Sequence, residues 1–174
     1  MTFKELAQKR RSIRTFTDQP ISDELRKQLL IPALMAPTSK SARAWQFILV
    51  DDKAKLHLLS ESKKMGAQFV ANAPLAIIVA VDKEGSEAWI EDASVASTML
   101  MLQAEDLGLG SCWVQMRERK NADGVDAEHV IRNAFGIPEN YGILSVIAIG
   151  YKEKERKLQD EEKLLWDRVH VNNF

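Results

Sequence analysis

Apolar and polar positions along the chain follow two periods, and the breaks between them mark the elements. Thr2 and Glu5 stand three apart around FKELAQK, the spacing of a capping box, and predict a short helix to about Arg10. The next stretch, RRSIRTFTDQP, is polar, broken and closed by Pro20, so it is expected as a loop or the beginning of a strand. Ser22, followed by Asp23 and Glu24, opens a second helix. Leu25, Leu29, Leu30, Ala33 and Leu34 form its apolar stripe. Pro32 lies inside that stripe and should kink or shorten the helix, and Pro37 closes it.

Trp45–Val50 (WQFILV) has the β-branched and aromatic content of a strand. Leu56, Leu59 and Met65 suggest a helix from Lys53 to about Phe69. Leu75–Val81 (LAIIVAV) is apolar throughout, which predicts a strand covered on both faces. Ser86 to Leu107 reads as one long helix, apolar on more than one side and therefore central, with Gly108 at its C-cap. A third strand is expected over Ser111–Met116. Asp126 caps a helix over Glu128–Phe135 that Gly136 and Pro138 end, and Gly142–Tyr151 is a fourth strand. Helices and strands intersperse, so layered packing follows. Beyond Lys152 the chain is charged, yet it carries Leu164, Leu165, Trp166, Val169, Val171 and Phe174 with no regular period. Such a segment is expected to lie across a surface, its own or a partner's.

Composition narrows the class. The 174 residues are 45% apolar and 28% charged, with 8 Gly and 5 Pro, which fits one globular domain over 1–174 and not a disordered chain. A net charge of −1 supplies no field that would favour nucleic acid or an anionic membrane. One cysteine excludes an internal disulfide, and the three histidines lie far apart with no metal-ligand spacing. The segment MTFKELAQKRRS has no apolar run behind its charges, and neither Leu75–Val81 nor Ile143–Ile149 is long enough to span a bilayer. A cytoplasmic protein without a membrane segment is the expectation.

Four segments hold candidate chemistry. Arg10, Arg11, Ser12 and Arg14 place three guanidiniums and a hydroxyl within five residues. Guanidinium forks match phosphate oxygens in pairs. In an extended segment Arg10, Ser12 and Arg14 share one side and Arg11 takes the other. Taken alone, the cluster reads first as a solvated basic loop, with an anion site as the alternative. Pro37, Thr38, Ser39, Lys40 and Ser41 form a hydroxyl-rich loop that alone reads as a turn. Gly108 and Gly110 permit close backbone approach, and neighbouring Cys112 has no basic partner in sequence and reads as structural. Lys152, Lys154, Arg156 and Lys157 follow the last strand, where they either face solvent or close over a phosphate. No nucleophile elbow, phosphate loop or zincin helix is present.

Together these segments resemble the FMN-dependent nitroreductase family across nearly the whole chain. The resemblance runs through RRSIRTF, APTS, the strand entered by Trp45, APLAIIVAV, LGLGSCW, FGIPE, IAIGY and the ending RVHVNNF, in the family's order. It implies an α+β fold, a central mixed sheet flanked by helices, in an intertwined homodimer with two FMN sites at the interface and the tail of about 152–174 wrapped over the partner. Arg10 and Ser12, with Arg11 beside them, would reach the ribityl phosphate. Arg14 would lie near N1 and O2 of the flavin and tune it. Pro37, Thr38 and Ser39 would reach the FMN held mainly by the other subunit. Gln68 would meet the pyrimidine edge, and the stretch around Gly110–Val114 would pass the ring. Arg156 or Lys154 would close on the phosphate. No side chain need be catalytic.

The implied activity is transfer of hydride from NADH or NADPH through FMN to electron-poor small molecules such as nitroaromatics or quinones. Ser41, Arg43 and Ala44 stand where the family often has Asn and Gln-Pro, which puts one flavin contact in doubt. A flavin-binding redox sensor or reservoir with little turnover, or a dimer scaffold without flavin, are the alternatives. Intact RRSIR argues against the scaffold.

Overall fold

The computed structural model describes residues 1–174. Helix α1 (Phe3–Lys9) starts at the expected capping box: the Thr2 hydroxyl accepts from Glu5 N–H, and the Glu5 carboxylate accepts from Thr2 N–H. Helix α2 (Asp23–Leu34) is capped by Ser22 and runs through Pro32 for two further residues. So near the C-terminus the missing N–H costs only one bond of the ladder. Strand β1 (Trp45–Val50) is followed by α3 (Lys53–Glu61), shorter than the apolar spacing suggests. The Ser60 and Ser62 hydroxyls bond back to the His57 and Leu58 carbonyls, at 2.6 and 2.9 Å, where α3 ends. A separate 3₁₀ turn over Gln68–Asn72 leads into β2 (Leu75–Asp82).

Helix α4 (Trp89–Asp106) begins three residues later than expected because Ser86 is tied by its side chain to Asp92 and does not cap. Gly108 follows it at a φ of +77°, as its place after the helix implies. Strand β3 (Leu109–Gln115), α5 (Ala127–Phe135) with its Asp126 cap, and β4 (Tyr141–Tyr151) complete the core elements.

The strands form one sheet in the order β1-β2-β4-β3, and every neighbouring pair is antiparallel. The expected mixed sheet is thus corrected within one chain, where the one parallel pairing is an isolated bridge between Ser12 and Ser111. Uniformly apolar strands reflect helices on both faces, which an antiparallel sheet can carry as well as a parallel one. Ile77 and Val79 of β2 face α2 and α4, with Leu29, Ala33, Ala93 and Leu100. Ala76, Ile78 and Ala80 face the opposite layer, with Leu56, Leu59, Val70 and Ile131.

A β-bulge interrupts the β2–β4 ladder. Val79 pairs with Ser145 and Ala80 with Ile143, which leaves Leu144 as the extra residue. The Leu144 carbonyl accepts from both Met116 and Arg117 N–H and so marks where β3 leaves the sheet. Beside the bulge, the buried Ser145 hydroxyl lies 3.1 Å from that of Ser97 in α4. Ser145→Ala should cost about 1–3 kcal/mol by stranding the Ser97 hydroxyl, and the double change Ser97→Ala/Ser145→Ala should recover most of it. Urea denaturation of the three variants measures both values.

Candidate functional site

The arginine segment is seated on the sheet by its apolar residues. Ile13 and Phe16 are buried, Ile13 N–H donates to the Ser111 carbonyl at 2.9 Å, and Thr17 N–H donates to Tyr151 at 2.9 Å. Two glycines make room beneath. A Cβ on Gly110 would lie 2.8 Å from Ile13 Cγ2, and one on Gly150 would lie 2.8 Å from Phe16 Cβ. Gly110 is thus the floor under Ile13, buried in the sheet. With Ile13 turned inward, Ser12 and Arg14 turn outward, as the two-residue period requires. Arg11 departs to the other side, where its Nη1 donates to the Lys157 carbonyl.

Cys112 reports what gathers on the outward side. Burial pushes its thiol pKa up, and Arg14, the Ser12 hydroxyl, Arg10 and Lys63 oppose that rise. Three cations and a hydroxyl therefore share one region. The Arg14 guanidinium also lies 5.9 Å from the centroid of the Phe69 ring. A cavity of about 350 Å³ opens on Arg14, Thr15, Lys154 and Arg156, so the fold brings both candidate basic residues of the tail to Arg14. Glu153 and Glu155 share that lining. Lys152 is committed elsewhere: its Nζ lies 2.6 Å from Glu105 Oε1, with both side chains almost wholly buried, and 3.2 Å from Glu155.

Gln68 begins the turn that carries Phe69. Its amide is already engaged, accepting from Gly66 N–H at 2.9 Å and donating to the Lys64 carbonyl at 3.2 Å. The loop at Pro37, Thr38 and Ser39 lies elsewhere in the chain. Ser39 N–H donates to the buried Asp92 carboxylate at 2.8 Å, in the first turn of α4, and the Thr38 hydroxyl accepts from Arg43 N–H. At about 1.5 Å per residue, α4 separates Asp92 from Asp106 by about 21 Å, and the arginine segment meets the sheet beyond that far end. Lys40, Ser41 and Arg43 all adopt left-handed φ values near +50°.

The donors around Arg14 fit a phosphate-bearing flavin: two guanidiniums and a hydroxyl on one strip, two more basic side chains across a cavity, and an aromatic ring under Arg14. The Nitroreductase family model matches residues 7–66 and 52–151. The chain belongs to the Nitroreductase family. It is 44% identical to a solved structure described as an FMN-dependent nitroreductase from Clostridium difficile R20291, covering 99% of this chain and 100% of that one, with a TM-score of 0.96. It is 34% identical over 166 residues to a chain of Archaeoglobus fulgidus, provisionally named an NADH dehydrogenase/NAD(P)H nitroreductase, covering 92% of each. A Thermus thermophilus protein named NADH dehydrogenase is 27% identical over 204 residues, covering 94% of this chain and 95% of that one.

In this chain, four positions that shape the site or its surroundings gave no sequence signal. Lys63 and Phe69 meet the strip only through the return of the chain after α3. Asp92 and Glu105 read as ordinary polar residues of a long helix, yet each is buried and fixes a segment outside it. Glu105→Ala would leave the Lys152 ammonium buried without its main partner, and a loss of about 3–5 kcal/mol is expected. Thermal or urea unfolding measures it, and Glu105→Gln should be the milder change.

Proposed function

We propose that the protein is an FMN-dependent oxidoreductase acting as a homodimer, with NADH or NADPH as donor and electron-poor small molecules as acceptors. The observation that carries this is the gathering of Arg14, Lys154 and Arg156 around one cavity, with Arg10 and Ser12 beside Arg14 on the same segment. A 44% identical structure described as FMN-dependent supports it. When bound, FMN supplies the redox chemistry, taking hydride from the nicotinamide and passing electrons on to a nitroaromatic or quinone.

The chain's own residues would bind and orient. Arg10 and Ser12 hold the phosphate, with Arg156 or Lys154 closing over it. Arg14, fixed against Phe69, sets a positive charge at the pyrimidine edge, where reduction builds negative charge. Gln68 would add a hydrogen bond there by sharing its amide. Gly110 contributes by letting the strip lie close to β3. Arg11 ties the tail down rather than joining the phosphate set.

A second copy would complete the site. One chain carries the arginine strip at one end of α4 and the Pro37–Ser39 loop at the other, so twofold pairing would set the loop of each copy against the strip of its mate. Exposed apolar side chains give such pairing its surface: Ile31, Leu34 and Met35 at the end of α2, Val95 on α4, and Leu164, Leu165, Trp166 and Phe174 in the tail.

The deciding experiment is the absorbance spectrum of the purified protein, before and after anaerobic addition of NADH and then NADPH. A flavin spectrum that bleaches is expected. A flavin that never bleaches would turn the reading to a sensor or reservoir, and no flavin even after added FMN would overturn it. Arg14→Ala should weaken FMN retention by roughly ten-fold or more, the scale of one lost charged hydrogen bond, and slow reduction by the donor. Equilibrium dialysis and stopped-flow bleaching measure the two effects.

A further inference from the structure

A second cleft, of about 610 Å³, opens beside the arginine strip. One wall is the end of α3 and the turn after it, with Lys63, Lys64 and Gln68, and the other is the loop at Asn121, Ala122 and Asp123. Lys64 N–H donates to the Lys120 carbonyl at 2.9 Å and fastens the walls together. Lys63 and Lys64 line the opening, and Arg119 and Lys120 immediately precede its Asn121 wall, so four cations lie at or next to it. None of the four forms an ion pair. The nearby acids are largely engaged: Glu61 lies 3.4 Å from His57, and Glu118 lies 2.6 Å from Arg117, which leaves Asp123.

Lys63 is the strained member. Burial pushes its ammonium pKa down, and repulsion from Arg119 adds to that, while Cys112 opposes it. A partly desolvated cation held against another cation, without a counter-ion, is stabilised by any anion that enters. Gln68, a candidate flavin contact, lines this cleft, and Lys63 acts on Cys112 as Arg10 and Arg14 do, so the cleft adjoins the proposed flavin site. A nicotinamide dinucleotide with its ring over the flavin must place its adenosine end some distance away. NADH and NADPH share the pyrophosphate, and they differ only in the dianionic 2′-phosphate of the adenosine ribose.

We infer that this cleft receives the 2′-phosphoadenosine end of NADPH, and that Lys63, Lys64 and Arg119 select NADPH over NADH. The inference rests on the oxidoreductase reading above and adds to it a donor and a place for that donor. Asn121 supports the wall by accepting from Asp123 and Val125 N–H at 3.0 and 2.8 Å through Oδ1, and its amide Nδ2 makes no hydrogen bond within the chain.

The test is calorimetric titration of the FMN-loaded protein with 2′,5′-ADP and with 5′-AMP, for wild type, Lys64→Ala, Lys63→Ala and Arg119→Ala. Binding of 2′,5′-ADP at least about ten-fold tighter than 5′-AMP is expected, with about a ten-fold loss of that preference in each variant. Lys64→Ala should lower kcat/KM for NADPH by the same factor and leave flavin content and kcat/KM for NADH unchanged. Equal affinity for the two nucleotides in wild type, or a preference that survives all three substitutions, would overturn the inference. The lysines would then only offset the carbonyl dipole at the end of α3. If neither donor bleaches the flavin, the oxidoreductase reading fails, while the nucleotide titration still decides whether the cleft selects a 2′-phosphate.

Discussion

The approach of the arginine segment to the sheet is the constraint on which the candidate site depends. Gly110 and Gly150 leave no side chain between the sheet and the residues Ile13 and Phe16. Because Ile13 fills that space, the backbone period forces Ser12 and Arg14 outward. Lys152 Cγ fills the rest of the space at Gly110, and its ammonium runs on to buried Glu105. The same contact therefore fixes two segments far apart in sequence, the strip at 10–17 and the start of the tail. Glu105 and Lys152 act as a register pin: a buried pair of this kind adds little net stability, but breaking it is costly, so the tail leaves β4 in one direction. Lys154 and Arg156 reach Arg14 as a consequence.

Much of this was legible in the residues. Every α-helix and strand was anticipated, with boundaries shifted by a few residues and the 3₁₀ turns missed. Helix α3 stopped at Glu61, before the apolar spacing did, and Gly66 beyond it takes a left-handed φ of +80°. Ser86 gave its hydroxyl to Asp92 and left the start of α4 to Ala88. Arg10, Ser12 and Arg14 act together on Cys112 while Arg11 bonds the Lys157 carbonyl, although the segment forms only isolated bridges and no strand. The direction of strand pairing did not follow, because an apolar run reports only that both faces are covered. Lys63, Phe69, Asp92 and Glu105 were invisible for a different reason. Their roles arise from contacts across long separations, and nothing in their own neighbourhoods distinguishes them from surface residues.

The Pro37–Ser39 loop is held in place independently of the arginine strip. Its backbone is held from within its own chain, by Asp92 accepting from Ser39 and by Thr38 accepting from Arg43. The left-handed conformations at Lys40, Ser41 and Arg43 cost roughly 1 kcal/mol each for residues with a side chain. A chain that holds such a loop in place, at the far end of α4 from the arginine strip, makes it rigid before any ligand or second copy arrives. Ser41 and Arg43, where the family often has other residues, lie in this strained stretch and not on the strip. Any change they bring should therefore fall on the half of the site that a second copy would supply, leaving the phosphate-binding half intact.

The tail binds these elements to one another. Along α1 it is fastened by polar contacts: Gln159 N–H to the Gln8 carbonyl at 3.0 Å, Gln8 to Glu161, and Lys4 to Glu161 at 2.7 Å. Contacts of this sort between exposed groups are each worth little. The apolar side chains of the same segment stay open, Trp166 at 70% exposure and Val171 at 80%. A segment that spends its weak interactions on its own chain and leaves its strong ones unsatisfied is poised for a larger surface. Because Lys154 and Arg156 precede it directly, covering that apolar stretch would also hold the phosphate-facing residues still. Dimer formation and retention of the flavin would then be linked, each strengthening the other through the residues that follow β4.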